Sequence, residues 1–345
     1  MTPKKVAVAL SGGIDSLISG FLVKQQFKEV IGLHFTTGYE TASVDTQFLQ
    51  TQLGFPVYTL DLTQAFEQEV VQYFIQAYMA GTTPNPCLKC NYKIKFGLLL
   101  DHALALGADA LATGHYATVV NALTCPGTVQ SHLEKGADAA KDQSYFLSML
   151  EARQLDRVIF PLASATKDEV RRIAKTYHLA PAVPSESQDI CFIHDQNFSD
   201  FILKKQQQPP CPGRIVNADG KVVGHHNGLH TFTIGQRRGI NVPAERPYYV
   251  RRIDMAANTL HVCFKEDLAR SEMAVDEITW NYPETERISS ITTKIRYSHK
   301  GAMSSLQLNG NRGKVVFDTP QNAVTPGQAA VFYMGSRVLG AGIIQ

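Results

Sequence analysis

The sequence has no apolar run approaching the length of a membrane span, so a helical membrane protein is not expected. It has almost no charge bias, with 33 Lys and Arg against 31 Asp and Glu and a net charge of +2. That excludes whole-chain attraction to nucleic acid or membranes, and any such surface must be a local patch. Lys4 and Lys5 precede only a short apolar run, Val6 to Leu10, which is too short for the core of a secretory signal. A cytoplasmic, reducing location is therefore expected. The 6 cysteines then read as metal or redox groups before structural disulfides. Internal repeats, low-complexity tracts and the Gly-x-x-x-x-Gly-Lys of a Walker loop are all missing. What remains, 345 residues with 44% hydrophobic and 19% charged content, suits an ordinary globular protein of two or three domains.

The most informative stretch present is Ala9-Leu10-Ser11-Gly12-Gly13-Ile14-Asp15-Ser16. An apolar run ends in two glycines, and a helical pattern begins near Ser16. Strand, glycine turn and helix together aim backbone N–H groups at an anion. The plainer alternative is a tight turn with Asp15 or Ser16 as a helix N-cap.

Strand-like and helix-like segments alternate to about residue 115. Val30 to Phe35 and Pro56 to Leu60 read as buried strands, and Ala110 to Thr113 as a short one. Thr63 to Met79 reads as a helix capped by Thr63, and Ile94 to Leu106 repeats the helical period. Such alternation implies an α/β fold with a parallel sheet covered on both faces. Ligands bind at the carboxyl ends of such strands, which groups Ser11 to Ser16 with Phe35 and Gly114. Residues 119 to 140 read as a polar insertion or loop. Lys141 to Leu150 and Thr166 to Tyr177 read as helices, the second opened by a Thr166-x-x-Glu169 capping box. Gln206 to Pro210 reads as a linker. Short β-like runs follow, at Gly213 to Val216, Lys221 to Val223, Tyr248 to Ile253 and Thr259 to Phe264. More come at Ile291 to Arg296, Lys314 to Phe317 and Ala329 to Met334, and they suggest a small barrel. The expected domains are 1–205, a small β-rich 206–268, and a barrel over 269–345.

The second strong signal is Thr83-Pro84-Asn85-Pro86-Cys87-Leu88-Lys89-Cys90-Asn91. Two prolines fix an extended loop that presents Cys-x-x-Cys before a helix. A helix N-terminus lowers a thiol pKa, and Lys89 and Lys93 add positive charge. Far along the chain, Cys191 falls in what reads as a short apolar strand. Cys125, Cys211 and Cys263 read as ordinary thiols. The three marked cysteines admit a structural zinc site, a persulfide and disulfide pair, or a [4Fe–4S] cluster on Cys87, Cys90 and Cys191. Zinc lacks a second matched pair of ligands. The other two stay open; in a cluster the fourth iron would be free to take a hydrosulfide.

Ser11-Gly-Gly-x-Asp-Ser16 resembles the pyrophosphate loop of ATP pyrophosphatases. The resemblance becomes specific with the Thr-Pro-Asn-Pro loop ending in Cys90-Asn91, with Ala112 to Ala117, and with Lys141-Asp142-Gln143-Ser144-Tyr145-Phe146-Leu147. Asp189-Ile190-Cys191-Phe192-Ile193, Thr233 to Gly239, Lys294 to Tyr297 and Thr325 to Ala329 complete the series. Together these strings resemble the tRNA-specific 2-thiouridylases, over nearly the whole chain. The resemblance implies ATP at Ala9 to Ser16, Phe35 and Gly114. It implies Cys90 as nucleophile and Cys191 as the persulfide carrier. It also implies tRNA contacts at Asn85, Pro86, Cys87, Lys141, Asp142, Gln143, Arg296 and Tyr297. The partners implied are tRNA and a sulfur donor or carrier protein, or free sulfide. Two departures stand out. Many family members have aspartate where Cys87 stands, and the segment Thr36 to Thr46 is short and lacks the usual acidic stretch.

The expected chemistry is adenylation of the uracil C2 oxygen, with Asp15 helping to hold Mg²⁺ on the departing pyrophosphate. Sulfur attack at C2 follows, from a persulfide on Cys191 with Cys90 releasing it, or from a hydrosulfide on the open iron. The second route is slightly preferred, because the three cysteines resemble the cluster-dependent branch of RNA thiolation enzymes. The base must leave its stack, and Tyr116, Tyr145 and Phe146 are candidates to receive it, with core packing the favoured reading for Phe146. Lys294, Arg296, Lys300, Arg312 and Lys314 lie in an acid-free run, Ile291 to Lys314, that suits phosphate. Arg237, Arg238, Arg251 and Arg252 form a second group. His115 reads as structural, and His225, His226 and His230 as a surface turn. An amide-forming ATP pyrophosphatase and a non-catalytic RNA-binding module are the rival readings.

Overall fold

The computed structural model describes residues 3–125, 128–183, 190–194, 197–207, 209–283 and 285–345. The amino-terminal part is a five-stranded parallel sheet in the order β3-β2-β1-β4-β7. Its strands are β1 (Lys5–Ala9), β2 (Glu29–Thr36), β3 (Val57–Asp61), β4 (Ala110–Ala112) and β7 (Val158–Ile159). The central strands are continuous apolar runs because helices cover both faces: Val6, Ala7, Val8, Leu33, Leu111 and Ala112 have no exposure. β3 is an edge strand, and its Tyr58 is 47% exposed, so the expected buried strand at Pro56 to Leu60 is corrected. Helix α1 (Ile14–Gln26) follows the glycine turn, and α2 (Thr46–Leu53) is capped by Asp45, which accepts from Phe48 N at 2.9 Å.

Two long helices carry the rest of the sheet's cover, one over 63–79 and one over 86–105, and each passes through a π-helical stretch. Thr63 does not cap the first, because the Asp61 carboxylate accepts from Thr63 N at 2.9 Å and does that job. The second begins at Asn85, whose side chain accepts from Cys87 N at 3.2 Å with Pro86 at the first helical position. The helix expected over Lys141 to Leu150 shrinks to Ser144–Leu147, since the Asp142 carboxylate accepts from Gly136 N and Ser144 N and bends the chain there. The Thr166 capping box is present at the head of the helix Lys167–Thr176.

Residues 119 to 140 are not a loop. They lie largely in a hairpin of β5 (Ala117–Cys125) and β6 (Thr128–Lys135), which hangs on the carboxy-terminal sheet through Arg337 opposite Glu134. Polar residues misled the reading because Ser131 and His132 are buried here beside Leu133. A small four-stranded sheet, β10-β11-β8-β9, follows from β8 (Gly213–Val216), β9 (Val222–His226), β10 (Tyr249–Asp254) and β11 (Thr259–Cys263). The last part is a closed barrel of β12 (Ala269–Trp280), β13 (Arg287–Lys294), β14 (Ala302–Asn309), β15 (Arg312–Asn322), β16 (Ala329–Met334) and β17 (Arg337–Ile344). β12 pairs with both β15 and β17, which shuts the barrel and removes its edges.

All three parts meet at the strap before Asn85. Thr83 N donates to Pro326 O at 2.8 Å, Gln328 Nε2 donates to Thr83 O at 3.0 Å, and the Thr83 and Thr233 hydroxyls are 3.1 Å apart. Gly327 permits this approach. Its φ is +90°, and a Cβ there would stand 2.9 Å from Thr83 N and O. Gly327→Ala should lower unfolding stability by roughly 1–3 kcal/mol in urea titrations. Gly310→Ala, also left-handed but facing open space, should cost less.

Candidate functional site

The glycine turn leaves the head of α1 open. Gly13 is the N-cap, and no side chain bonds to the first amides, so neither Asp15 nor Ser16 caps the helix. Ser16 Oγ instead donates to Gly13 O at 2.9 Å and accepts from Ser11 N at 3.2 Å, which folds the turn upon itself. Gly12 holds φ +86° under Val44 and Val183. Gly114, at the end of β4, lies so close that a Cβ would come within 2.9 Å of the Asp15 backbone. Ala9 and Phe35 pack against one core cluster, Leu10 lies in a second and Ile14 packs against a third, Leu10 N donating to Leu33 O at 2.8 Å.

Asp15 is already engaged. Lys167 Nζ reaches its two oxygens at 2.7 and 2.8 Å, and the Tyr116 hydroxyl donates to Oδ1 at 2.7 Å. The Lys167 side chain is only 6% exposed. A Mg²⁺ ion held by Asp15 does not fit this arrangement, because it would have to displace a buried ammonium. Sequence reasoning missed Lys167, whose place at the start of a capped helix suggests nothing beyond a solvated end.

The three marked thiols come together. Cys87 and Cys90 sit three residues apart at the head of the helix 86–105. Cys191 lies in a turn, not a strand, closed by Ile193 N donating to Ile190 O at 2.9 Å. Phe192 of that turn is buried in an aromatic cluster with Phe66, Phe74 and Phe201, and Cys90, Ile190 and Ile193 pack against the same cluster. Ser187, Gln188 and Asp189 lie outside the described residues.

Cys87 and Cys191 touch water and Cys90 does so partly, yet protein crowds all of them. Burial raises the pKa of Cys87, and pushes Cys191 up to about 11 and Cys90 up to about 12. The thiols also feel one another, each negative charge opposing the next, and Glu40 adds to this at Cys191. Lowered pKa values were expected, and the structure reverses that because desolvation outweighs the nearby positive charge. Nor are Lys89 and Lys93 the cations concerned: each ammonium lies 5.1 Å from a tyrosine ring, Tyr73 and Tyr92 respectively. The charge that acts on all three thiols is Lys95, and it also acts on His115. An α-helix would set a residue five positions on about 140° away from Cys90. The π-helical stretch Cys90–Leu98, with Leu99 N donating to Ile94 O, brings it back toward the same face.

His115 is structural in its contacts. It is buried between Phe96 and Phe160, its Nδ1 lies 2.8 Å from Thr113 Oγ1, and burial holds its pKa well below the usual imidazole range.

Beside the thiols stands an aromatic face. Phe146 and Tyr297 pack with centroids 4.5 Å apart and planes tilted by 34°, Lys294 lies over Tyr297 at 5.7 Å, and Asn91 Nδ2 donates to Phe146 O at 2.9 Å. Tyr145 is fully buried with its hydroxyl on Ala329 O, and Tyr116 is buried against Asp15, so neither is open to a base. Phe146 packs against the core, as expected, yet keeps part of its surface open. Asp142 and Gln143 spend their side chains on the backbone of Gly136, Ser144 and Tyr116. Lys141 is half-buried beside them, and Arg296 reaches Asn322 O at 3.5 Å. Pro86 is buried.

The acid-free run does not make one patch. Lys314 pairs with Glu272 at 2.7 Å and Arg312 with Asp276 at 3.2 Å, both acids being supplied by the neighbouring strand β12. Of the second group, Arg252 pairs with Asp254 at 3.0 Å, while Arg237 and Arg238 line an open cleft of about 460 Å³ with Asn241 and Tyr248. His226 and His230 are buried on β9 and the turn after it, not exposed. Among the described residues no three His, Cys, Asp or Glu side chains are arranged to hold a metal ion, the three thiols included.

A family model described as the tRNA methyl transferase HUP domain matches residues 4–195. A PRC-barrel domain of the same name matches 199–264, and an aminomethyltransferase β-barrel domain matches 270–344. The tRNA-specific 2-thiouridylase MnmA of Desulfosudis oleivorans is 47% identical over 99% of this chain and 94% of its own. That of Streptococcus mutans is 38% identical over 99% of this chain and 95% of its own. The chain belongs to the tRNA-specific 2-thiouridylase family. It is an enzyme of tRNA modification, a tRNA sulfurtransferase by family. A solved U34-tRNA thiolase of Methanococcus maripaludis overlaps 59% of this thiouridylase and 66% of its own chain at 19% identity, with a TM-score of 0.35, too loose to argue from. Among the described residues no helix is long and apolar enough to cross a membrane.

The thiol environment sets an order of reaction with iodoacetamide. At pH 8, Cys87 should alkylate fastest and Cys90 slowest in this thiouridylase. The Cys191 and Cys90 rates should climb about tenfold per pH unit until near 11 and 12, as peptide mass spectrometry would read.

Proposed function

We propose that this protein performs ATP-dependent 2-thiolation of the wobble uridine, position 34, of tRNA, releasing AMP and pyrophosphate. The observation that carries the reading is Lys95. It shares its helix with Cys87 and Cys90, and Phe96 of the same helix lies against His115, the residue after Gly114, with ring centroids 5.7 Å apart, which supports a single site between the thiols and the glycine turn. An amide-forming ATP pyrophosphatase would use the turn and leave the thiols without a role. A binding module would leave both idle.

The open amides of α1 receive the phosphates of ATP. Lys167, held by Asp15, supplies positive charge at that turn. Mg²⁺ travels with the nucleotide rather than on Asp15. The C2 oxygen attacks the α-phosphorus and pyrophosphate leaves, which makes AMP the group to be displaced. The uridine stacks at the Phe146–Tyr297 face, with Lys294 and Arg296 near its phosphates. Cys191 carries the incoming sulfur as a persulfide. That sulfur attacks C2, AMP departs, and Cys90 closes a disulfide with Cys191 as the sulfur is released. The thiols suffice for this route, and none of its steps needs an iron–sulfur cluster.

Asp15→Ala should abolish AMP release while tRNA still binds in gel-shift assays; AMP release at the native rate removes Asp15 from the reaction. The decisive experiment offers radiolabelled persulfide, ATP and unmodified tRNA, and looks for label at position 34. Label in tRNA from iron-free, colourless protein supports the thiol route. Activity that tracks iron content overturns it.

A further inference from the structure

We propose that Cys87 is a resolving thiol, which attacks the Cys90 sulfur of a Cys90–Cys191 disulfide and sets Cys191 free for the next sulfur. The proposal rests on the persulfide reading above. Its first support is position: Cys87 and Cys90 stand three residues apart on one helical turn, where side chains are neighbours. That turn is the first of its helix, so it has few internal hydrogen bonds to lose if it opens slightly to let the two sulfurs bond. Its second support is access, since Cys87 is exposed and Cys90 is only partly so. A disulfide moved onto Cys87 stays open to an external dithiol while the equally exposed Cys191 is freed to meet a sulfur donor. Its third support is the anchoring of Cys191. Phe192 pins that turn into the aromatic cluster against which Cys90 packs, which ties the Cys191 turn to the helix that carries Cys90. Burial also raises Cys87 less than its two neighbours, which makes it the first of the three to ionise.

The exchange balances. Cys87 gives its proton to solvent, and its thiolate bonds to the Cys90 sulfur. The Cys90–Cys191 bond breaks, and Cys191 leaves with the electron pair and takes up a proton. One S–S bond replaces another with no net oxidation. The Cys87–Cys90 disulfide then takes two electrons and two protons from an external dithiol, which is itself oxidised to a disulfide.

The test loads the full-length protein with radiolabelled polysulfide and removes the excess. ATP and unmodified tRNA are added without reductant, the reaction is quenched in acid, free thiols are alkylated, and disulfides are mapped by non-reducing mass spectrometry. The expected result is labelled tRNA, a Cys87–Cys90 disulfide and an alkylated Cys191, with C87S trapped instead as Cys90–Cys191. Labelled tRNA with only Cys90–Cys191 in the native protein overturns the role of Cys87 and leaves the persulfide route standing. Labelled tRNA with no disulfide overturns both. Unlabelled tRNA sinks the thiolation reading itself.

Discussion

The strap of Thr83 and Pro84 is the constraint on which the site depends. Its backbone is bound by Pro326 and Gln328 of the barrel, and its hydroxyl by Thr233 of the small sheet. These contacts fix the entry angle of the helix 86–105, and the Asn85 cap fixes its first turn. The strap before Cys87 and Cys90 is therefore held by residues 150 to 245 places beyond Thr83 in sequence. The barrel is part of the active-site scaffold as well as a candidate RNA surface, and no piece of the chain builds the thiol wall alone.

That dependence explains what was legible beforehand. The parallel sheet, the glycine turn and the capping box could be read because each is written locally, in apolar runs, Gly12-Gly13 and Thr166 to Glu169. The pairing of residues 117–135 with the barrel could not, because the partner strand begins at Arg337 and polar Ser131 and His132 fill buried positions. The acid-free run failed for the same reason. Charges that are distant in sequence, Glu272 and Asp276, lie across one strand boundary from Lys314 and Arg312. Motifs placed Cys90 and Cys191 in one site, but only the π-helical turn reveals Lys95, and only the fold reveals Lys167.

Two lysines divide the site. Lys167 is neutralised by Asp15 at the glycine turn, so the resting pocket holds no unpaired buried charge there. When a triphosphate arrives, the same ammonium can be shared with it at little reorganisation cost, because it is already in place. Lys95 stands at the other end, where its partners are thiols that burial keeps protonated.

The raised thiol pKa values work both ways. A thiolate attracts oxidants, and an exposed trio of thiolates would close into idle disulfides between turnovers. Burial raises the pKa of Cys90 and Cys191 and so favours their neutral forms, Cys90 packing against the aromatic cluster. On the proposed persulfide route Cys191 must still ionise to take a sulfur from its donor, so burial slows that step as well as idle oxidation. Lys95 acts the other way, its positive charge lowering the pKa of all three thiols. Burial and one ammonium thus pull against each other at the thiols, burial favouring the neutral sulfur and Lys95 the charged one, and burial prevails in the empty site.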